Sequence, residues 1–472
     1  MGERRVKLRS ALIRSNVSWT FVLLVGAAVL VTGISGFLIA RDPLVGLVVG
    51  LSPVALYLLV ASPVVRLLAI VVGGLFVFGS SSDVGPAKIV YAGILILSAG
   101  VSFWRLLRRP PSWAAPFAPV IVAGALLVAV LILATIGSPL EQDPQTVIRQ
   151  SIFYLMLPLA PVIGLDVGRS VSPNVAMGLI GIIGTLAAVG FATDWLDRRG
   201  VSSLEFGRFI LSSLMLPALA FALACVQVSL ERGIKRLLWL APVVVIPVAM
   251  LVTGTRTNLI LFVALLGVLG SKSRMRVTPA RAIQIAIFGV ATAALLVPVV
   301  GQYVINRPGF LESRIRAFLT VAEGNGEADG SFSGRASQTD YAWNLLNAHP
   351  AFGMGPGFVA ETSLDTPLLT VVKIGWIGTF VLACFLIAFF VAIERSARLR
   401  GHSAMHTAFR GFAIVTLANI PFGTPIEDRG FGFALMLGTM GVVSFISKDR
   451  PDYDTASMLQ PANTPSLALR RT

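Results

Sequence analysis

Long apolar runs recur along the chain and limit what it can fold into. Residues 114–137, for example, contain no charged side chain, and a run of about 18 or more such residues can cross the roughly 30 Å hydrocarbon core of a bilayer. The whole chain is 55% hydrophobic and only 13% charged, whereas soluble domains carry about 25% charge. The strands of a membrane barrel would instead alternate over segments of about ten residues. The sequence therefore predicts an all-α, polytopic transmembrane helical bundle.

Twelve to fourteen spans are predicted from these runs. The spans lie near 17–40, 43–61, 64–79, 87–104, 114–137, 151–168, 174–193, 208–229, 237–253, 257–270, 282–304, 367–394, 409–423 and 430–447. The second and third runs, and the ninth and tenth, are separated by only a few residues. Each of these pairs could form one span, which leaves the choice between twelve and fourteen open.

The charge distribution predicts the orientation of the bundle. With fourteen spans, the basic segments fall on one side, which the positive-inside rule assigns to the cytoplasm together with both termini. These segments are 1–15, 105–111, 231–236, 271–281 and 394–410. Topology therefore accounts for the net charge of +15, and we expect no nucleic-acid partner.

The same analysis divides the chain into five segments. They are a cytoplasmic N-terminal segment (1–16), a transmembrane bundle (17–304), a large loop on the outer face (305–366), the C-terminal part of the bundle (367–447) and a disordered cytoplasmic tail (448–472). We expect the outer loop to cap the bundle, because it is too short and too poor in apolar residues to fold far from the membrane.

Metal and thiol chemistry are not indicated by the sequence. Cys225 and Cys384 both lie inside apolar runs, where a disulfide or a reactive thiolate is not expected. His402 and His406 have a metal-ligand spacing but no third ligand nearby, so we interpret them as part of a solvated basic surface. The outer loop contains no D-x-D motif. We therefore expect no cofactor and no required metal.

One stretch of the outer loop, SGRASQTDYAWNLLNAHPAFGMGPG (333–357), is polar, then helical, then rich in glycine. It predicts a short amphipathic helix over 335–349, with Ser333 as its N-cap and Pro350 at its end. The predicted apolar side consists of Ala336, Ala342, Trp343, Leu345 and Leu346. The glycines that follow permit close backbone approach and unusual dihedral angles. Such a helix could hold an amphiphilic ligand, or it could simply plug the bundle.

Several arginines fall on the predicted outer side, against the usual orientation bias. They are Arg256, Arg307, Arg314, Arg316 and Arg335. A guanidinium stays charged at neutral pH and binds phosphate through two parallel hydrogen bonds. The cluster indicates a site for a phosphate or pyrophosphate head group at the outer leaflet. Pairing with acidic residues of the loop is the alternative, although Arg256 has no acid near it in sequence.

His349 is the one histidine of the chain on the predicted outer side. An imidazole there could accept a proton from a substrate. Its place directly before Pro350 equally fits a position at the C-terminal end of the helix. Both interpretations stay open.

The stretch 333–358 resembles the signature of the O-antigen ligase and polymerase family of bacterial membrane glycosyltransferases. That signature has an arginine, a tryptophan about eight residues later, and then a pattern of histidine or another residue, proline and spaced glycines. It is carried here by Arg335, Trp343, His349, Pro350, Gly353, Gly355 and Gly357. TGTRTNLILF resembles the family's arginine turn at Arg256. The segments 364–378, which ends in a G-x-x-G at Gly375 and Gly378, and 198–209, which includes Arg199, also resemble family segments.

The resemblance implies transfer of glycans from a polyprenyl-pyrophosphate donor on the outer face of the bacterial inner membrane. Arg256 and Arg335 would then stabilise the leaving pyrophosphate, with help from Arg314 and Arg316. Trp343, Arg199 and the three signature glycines would contribute to substrate binding. The implied partners are the lipid-linked glycan, an acceptor glycan and membrane lipid, with chain-length and export proteins as further candidates.

One departure from the family pattern concerns the acceptor side. Ligases of the family usually have a histidine eleven residues before the first glycine of the G-x-x-G, followed by Asn, Ser or Gln. Here these two positions are Leu364 and Asp365. Polymerase-like members often have Asp at the second position. We therefore expect a polysaccharide polymerase, with Asp365, and alternatively His349, as the base for the acceptor hydroxyl. Asp365 could instead cap the helix that follows.

Two other functional classes remain as alternatives. A transporter or flippase of lipid-linked saccharides would place charged residues at mid-membrane, whereas most predicted spans here carry charge only at their ends. A structural subunit of an envelope assembly would tolerate loss of Arg256 and Arg335. Transfer to another acceptor, as in an O-antigen ligase, is the third alternative.

Overall fold

A computed structural model describes ten segments of the chain: 43–76, 86–108, 110–139, 144–197, 214–252, 330–359, 368–400, 403–420, 425–428 and 430–448. These segments are almost entirely helical and contain no strand. The all-α polytopic bundle predicted from the sequence is therefore confirmed. The predicted spans 17–40, 257–270 and 282–304 lie outside the described residues.

The helices of the described segments are numbered α1 to α12 in chain order. They are α1 Pro43–Ala61, α2 Pro63–Phe76, α3 Pro86–Arg108, α4 Ala118–Ile136, α5 Pro144–Gly168, α6 Pro173–Asp197, α7 Met215–Leu230, α8 Ile234–Val252, α9 Gly330–Ala348, α10 Leu368–Arg400, α11 Ala404–Asn419 and α12 Phe431–Lys448. Several begin with proline, which suits the first helical position because its missing N–H would have no partner there. Eleven of the predicted spans correspond to one helix each.

Five of the described helical stretches are long and apolar enough to cross a membrane, and a sixth is added if α1 and α2 count as one span. The five are Ile89–Arg108, Trp113–Ile136, Gln150–Gly168, Pro173–Thr193 and Leu368–Arg398. Met215–Leu230 and Phe431–Ser447 are shorter apolar helices. Large apolar side chains remain exposed along these helices, as expected for surfaces that face lipid.

The chain divides into two compact units, Met1–Arg66 and Leu67–Thr472. In the described part of the first unit, the buried side chain of Arg66 donates to the carbonyl oxygens of Leu59, at 2.8 Å, and Val60, at 3.1 Å. Basic side chains near a helix C-terminus satisfy carbonyl groups that have no partner within the helix. Arg66 therefore stabilises the C-terminal end of α1.

Helices α5 and α12 of the second unit pack closely against each other. Cβ atoms placed on Gly164 and Gly168 would lie 2.6 Å and 2.8 Å from the carbonyl oxygens of Met436 and Met440. The two glycines form a G-x-x-x-G pattern on one face of α5. Small residues with this spacing let two helix backbones approach closely in membrane proteins.

The prediction that His406 lies on a solvated surface is wrong. Its side chain is buried, with 3% exposed. Its Nε2 lies 3.2 Å from Ser396 Oγ and its Nδ1 lies 2.7 Å from Ser403 Oγ. Ser403 is also the N-cap of α11, so the imidazole joins the end of α10 to the start of α11. His402 lies outside the described residues.

Candidate functional site

Helix α9 is the helix predicted in the signature stretch, but it is longer at its N-terminal end. It spans Gly330–Ala348, so Ser333 lies within the helix and is not its N-cap. The helix ends before Pro350, as predicted, because proline cannot continue the hydrogen-bond ladder. Ala342 and Leu346 are buried against α10, which confirms part of the predicted apolar side.

Trp343 departs from that prediction. Its side chain is 41% exposed and its ring centroid lies 6.2 Å from that of Trp376, which is 47% exposed. The pair lies where α9 meets α10. By helical spacing, positions 335, 339 and 343 share one face of α9. Trp343 therefore marks the face of α9 on which position 335 lies.

The glycine loop, residues 351–359, follows α9 and packs on the start of α10. Gly353 and Gly355 have φ angles of 69° and 91°, which residues with a side chain rarely adopt. Gly353 N–H donates to His349 O at 3.1 Å, and Phe358 N–H donates to Gly355 O at 3.0 Å. The unusual dihedral angles predicted for these glycines are thus present.

Three backbone hydrogen bonds join the loop region to α10. Met354 N–H donates to Val372 O at 2.7 Å. In the other direction, Trp376 N–H donates to Pro350 O at 2.9 Å and Ile377 N–H donates to Ala351 O at 3.2 Å. Two of the segments that resemble the family, 333–358 and the described part of 364–378, are therefore joined to each other by hydrogen bonds.

Gly375 makes this arrangement possible because it interrupts α10. Its φ of 66° and ψ of −178° are not helical, and this region of dihedral space is almost restricted to glycine. The break separates a short segment, 368–374, from the long helix 376–400. It also frees the N–H groups of Trp376 and Ile377 for the carbonyl groups of the loop.

The loop has a further contact on its other side. Ser138 Oγ, just beyond the end of α4, donates to Met354 O at 2.7 Å. Gly353, Gly355 and Gly357 are all buried. The three buried glycines therefore allow the loop to pack closely against its neighbours.

A buried polar cluster lies next to the fastened loop. Lys373 Nζ lies 2.7 Å from Glu427 Oε2, and the side chains are only 5% and 11% exposed. Lys373 Nζ also donates to Gln150 Oε1 at 3.4 Å, and the Tyr154 hydroxyl donates to Glu427 Oε1. These residues come from α10, α5 and the turn before α12.

Sequence reasoning did not select this cluster. Lys373 is the only charged residue in the mostly apolar segment LLTVVKIGW (368–376), and a charge in such a segment is a signal for a specific partner. Its acidic partner could not be chosen from the sequence, because Glu427 is 54 positions away.

Asp428, the residue after Glu427, binds the N-terminal end of helix α7. Asp428 Oδ2 accepts from the backbone N–H groups of Leu214, at 2.7 Å, and Met215, at 3.4 Å. Its Oδ1 accepts from Gly430 N–H at 2.8 Å. Asp428 therefore caps the N-terminus of α7 from a distant part of the chain, and the 425–430 turn joins α5, α7 and α10.

The structure locates some of the remaining predicted site residues. His349 lies directly after α9, where its backbone N–H donates to Leu345 O at 3.2 Å. This backbone contact fits the position predicted at the helix end. Position 335 lies within α9, but the Arg335 side chain is outside the described part of the structure. The other predicted residues outside the described ranges are Arg199, Arg256, Arg314, Arg316 and Asp365.

These features define a polytopic helical membrane protein in which a glycine loop is hydrogen-bonded to the N-terminal part of a spanning helix, α10. Residues 241–367 match the family model described as O-antigen ligase. This match covers about a quarter of the chain and confirms the resemblance to the O-antigen ligase and polymerase family. It supports glycosyl transfer of the ligase or polymerase type. A comparison with curated proteins found no match.

Proposed function

We propose that the protein is an outer-face membrane glycosyltransferase that polymerises or transfers glycans carried on polyprenyl pyrophosphate. The observation that supports this most is the fastening of the glycine loop to α10. These hydrogen bonds hold the C-terminal end of α9 against the N-terminal part of α10. Helix α9 is the helix that contains position 335. A rigid support of this kind is what a catalytic arginine needs, because small displacements of a reacting group reduce the rate strongly.

In the proposed reaction, a hydroxyl of the acceptor glycan attacks the anomeric carbon of the donor sugar. The new C–O bond forms as the bond between that carbon and the pyrophosphate oxygen breaks. The hydroxyl proton passes to a base, for which Asp365 and His349 are the candidates. The departing lipid pyrophosphate takes the electron pair of the broken bond.

Arg256 and Arg335 have the main catalytic roles in this proposal, with Arg314 and Arg316 as helpers. Two-point hydrogen bonding by a guanidinium neutralises charge that develops on the leaving group. Loss of one such group typically lowers a rate by about 10²–10³-fold. No metal is required in this scheme.

The exposed rings of Trp343 and Trp376 are evidence for a binding surface at the C-terminal end of α9. Tryptophan has an apolar face and a polar edge, which suits the boundary between lipid and water. The pair is therefore assigned to binding the sugar or the lipid-proximal part of the donor. Arg199 is assigned to the same surface on the resemblance alone.

The test is the replacement of Arg256 and Arg335 singly by Lys and by Ala. The purified protein is given a polyprenyl-pyrophosphate-linked glycan, and the length of the product is measured at equal protein amounts. Lys keeps the charge but loses the two-point geometry, so we expect a large loss with both replacements. Arg395→Ala, at an exposed arginine on α10, is the matched control and should retain activity.

The alternatives give different results in this system. A transporter would move the lipid-linked glycan across vesicle membranes and form no new glycosidic bond. A structural subunit would be unaffected by loss of either arginine. Full product formation by both Ala variants would refute the proposed role of the arginines.

A further inference from the structure

We propose that Lys373 and Glu427 are positioning residues that orient the short segment 368–374 and, through it, the glycine loop. This inference rests on the proposed function, since it assigns these two residues a part in glycosyl transfer. Lys373 lies within the segment 364–378 that resembles the family, and Glu427 lies outside the resembling segments. Neither residue is among the predicted site residues.

The geometry of the ion pair supports a directional role. Lys373 Nζ is 2.7 Å from Glu427 Oε2 and 3.4 Å from Gln150 Oε1. The second carboxylate oxygen, Oε1, accepts from the Tyr154 hydroxyl. Both charged groups thus have several partners with fixed directions, so the pair sets the position of α10 relative to α5 and the 425–428 turn.

The break at Gly375 explains why the segment needs such a support. A continuous helix would hold residues 368–374 in line with the rest of α10, but the non-helical dihedral angles at Gly375 remove that constraint. The segment is held by the hydrogen bond from Met354 N–H to Val372 O. The next residue, Lys373, holds it through a second contact, the ion pair with Glu427.

Stability alone is a poor explanation for this pair. A buried ion pair often contributes no more to folding than apolar side chains of the same size, because both charges must leave water. Its directional contacts can instead select one arrangement of the groups around it. The segment that Lys373 holds contacts the glycine loop. Asp365, a candidate base, precedes the same segment in the sequence.

The first experiment measures backbone hydrogen exchange in the full-length protein. The variant is the double substitution Lys373→Met with Glu427→Gln, which keeps the side-chain volumes without leaving one charge buried and unpaired. We expect exchange at the amides of Met354, Trp376 and Ile377 to rise about tenfold or more, as local opening of the fastened loop becomes easier.

The matched control is Glu394→Gln, which removes a carboxylate from the pair that it forms with Arg410 on neighbouring helices. That pair is more solvent-exposed, with 35% of each side chain accessible. Exchange at Met354, Trp376 and Ile377 should not change in this variant. Unchanged exchange in the Lys373 and Glu427 double variant would refute the positioning role.

The second experiment measures transfer kinetics with the lipid-linked donor. The double variant should lower kcat with little change in KM, because the donor still binds while the reacting groups are less well placed. Lys373→Arg keeps a donor for Glu427 and should restore most of kcat. A purely structural pair would lower the amount of folded protein and leave kcat per folded molecule unchanged, and that result would overturn the proposal.

The two measurements separate failure of this inference from failure of the proposed function. If the wild-type protein transfers no glycan, the proposed function fails, and with it the assigned part in transfer, whatever the exchange data show. If the wild-type protein is active and faster exchange leaves kcat intact, the proposed function stands and the positioning role is wrong.

Discussion

Gly353 and Gly375 each lie where a side chain on the other residue would have to be. A Cβ atom on Gly353 would lie 2.7 Å from Gly375 N, and a Cβ atom on Gly375 would lie 2.6 Å from Gly353 N. Both residues also have positive φ angles, of 69° and 66°. The loop and α10 can therefore meet at this distance only while both positions are glycine.

Gly375→Ala should destabilise the protein by about 3 kcal/mol or more, because the backbone angles and the close contact both oppose a side chain. Gly353→Ala should have a similar effect. The measurement is thermal unfolding of the detergent-solubilised protein. Gly100→Ala is the control, because a Cβ atom there would meet nothing within 4 Å. Equal unfolding temperatures for the Gly375 variant and the control would contradict the prediction.

Asp428→Ala should lower the free energy of unfolding by about 1–2 kcal/mol, since it removes the acceptor at the start of α7. Asp428→Asn keeps an acceptor oxygen and should have a smaller effect. Chemical denaturation of the purified protein measures both variants. Equal losses with Ala and Asn would show that the negative charge, and not the cap hydrogen bond, stabilises this end of the helix.

Gly164→Ala should weaken the packing of α5 against α12 and cost about 1–3 kcal/mol, because the added methyl group would meet the Met436 carbonyl. Gly178→Ala, on neighbouring α6, is the matched control, since no atom lies within 4 Å of a Cβ atom there. Unfolding temperature measures both. An unchanged temperature for the Gly164 variant would mean that the two helices can separate without penalty.

Trp343→Ala should raise KM for the lipid-linked donor several-fold and change the unfolding temperature little, because the ring is 41% exposed. Trp343→Phe should restore part of the affinity, since aromatic contacts of this kind contribute about 0.5–1.5 kcal/mol. Initial transfer rates over a range of donor concentrations provide the measurement. Trp104→Ala, at an exposed tryptophan on α3, should leave KM unchanged; a rise in KM with both variants would point to a general effect on membrane insertion.

The spanning helices were predictable because length and apolar composition alone determine whether a segment suits a bilayer. The end of α9 at Pro350 and the positive φ angles at Gly353 and Gly355 were also predictable, since each depends on the chemistry of a single residue type. These features require no knowledge of what packs nearby.

Features that depend on distant partners were not predictable. His406 was expected in solvent, yet it is buried between Ser396 and Ser403. The break at Gly375 lies in a segment whose apolar composition favours a continuous helix, and only the approach of the glycine loop explains it. Lys373 and Glu427 meet only after α5, α10 and the turn before α12 have assembled.

The three hydrogen bonds between the loop region and α10 join main-chain atoms only. These hydrogen bonds do not involve the side chains of the residues that form them, although the close approach requires glycine at positions 353 and 375. The exposed position 351 can therefore accept different residues while these hydrogen bonds stay intact.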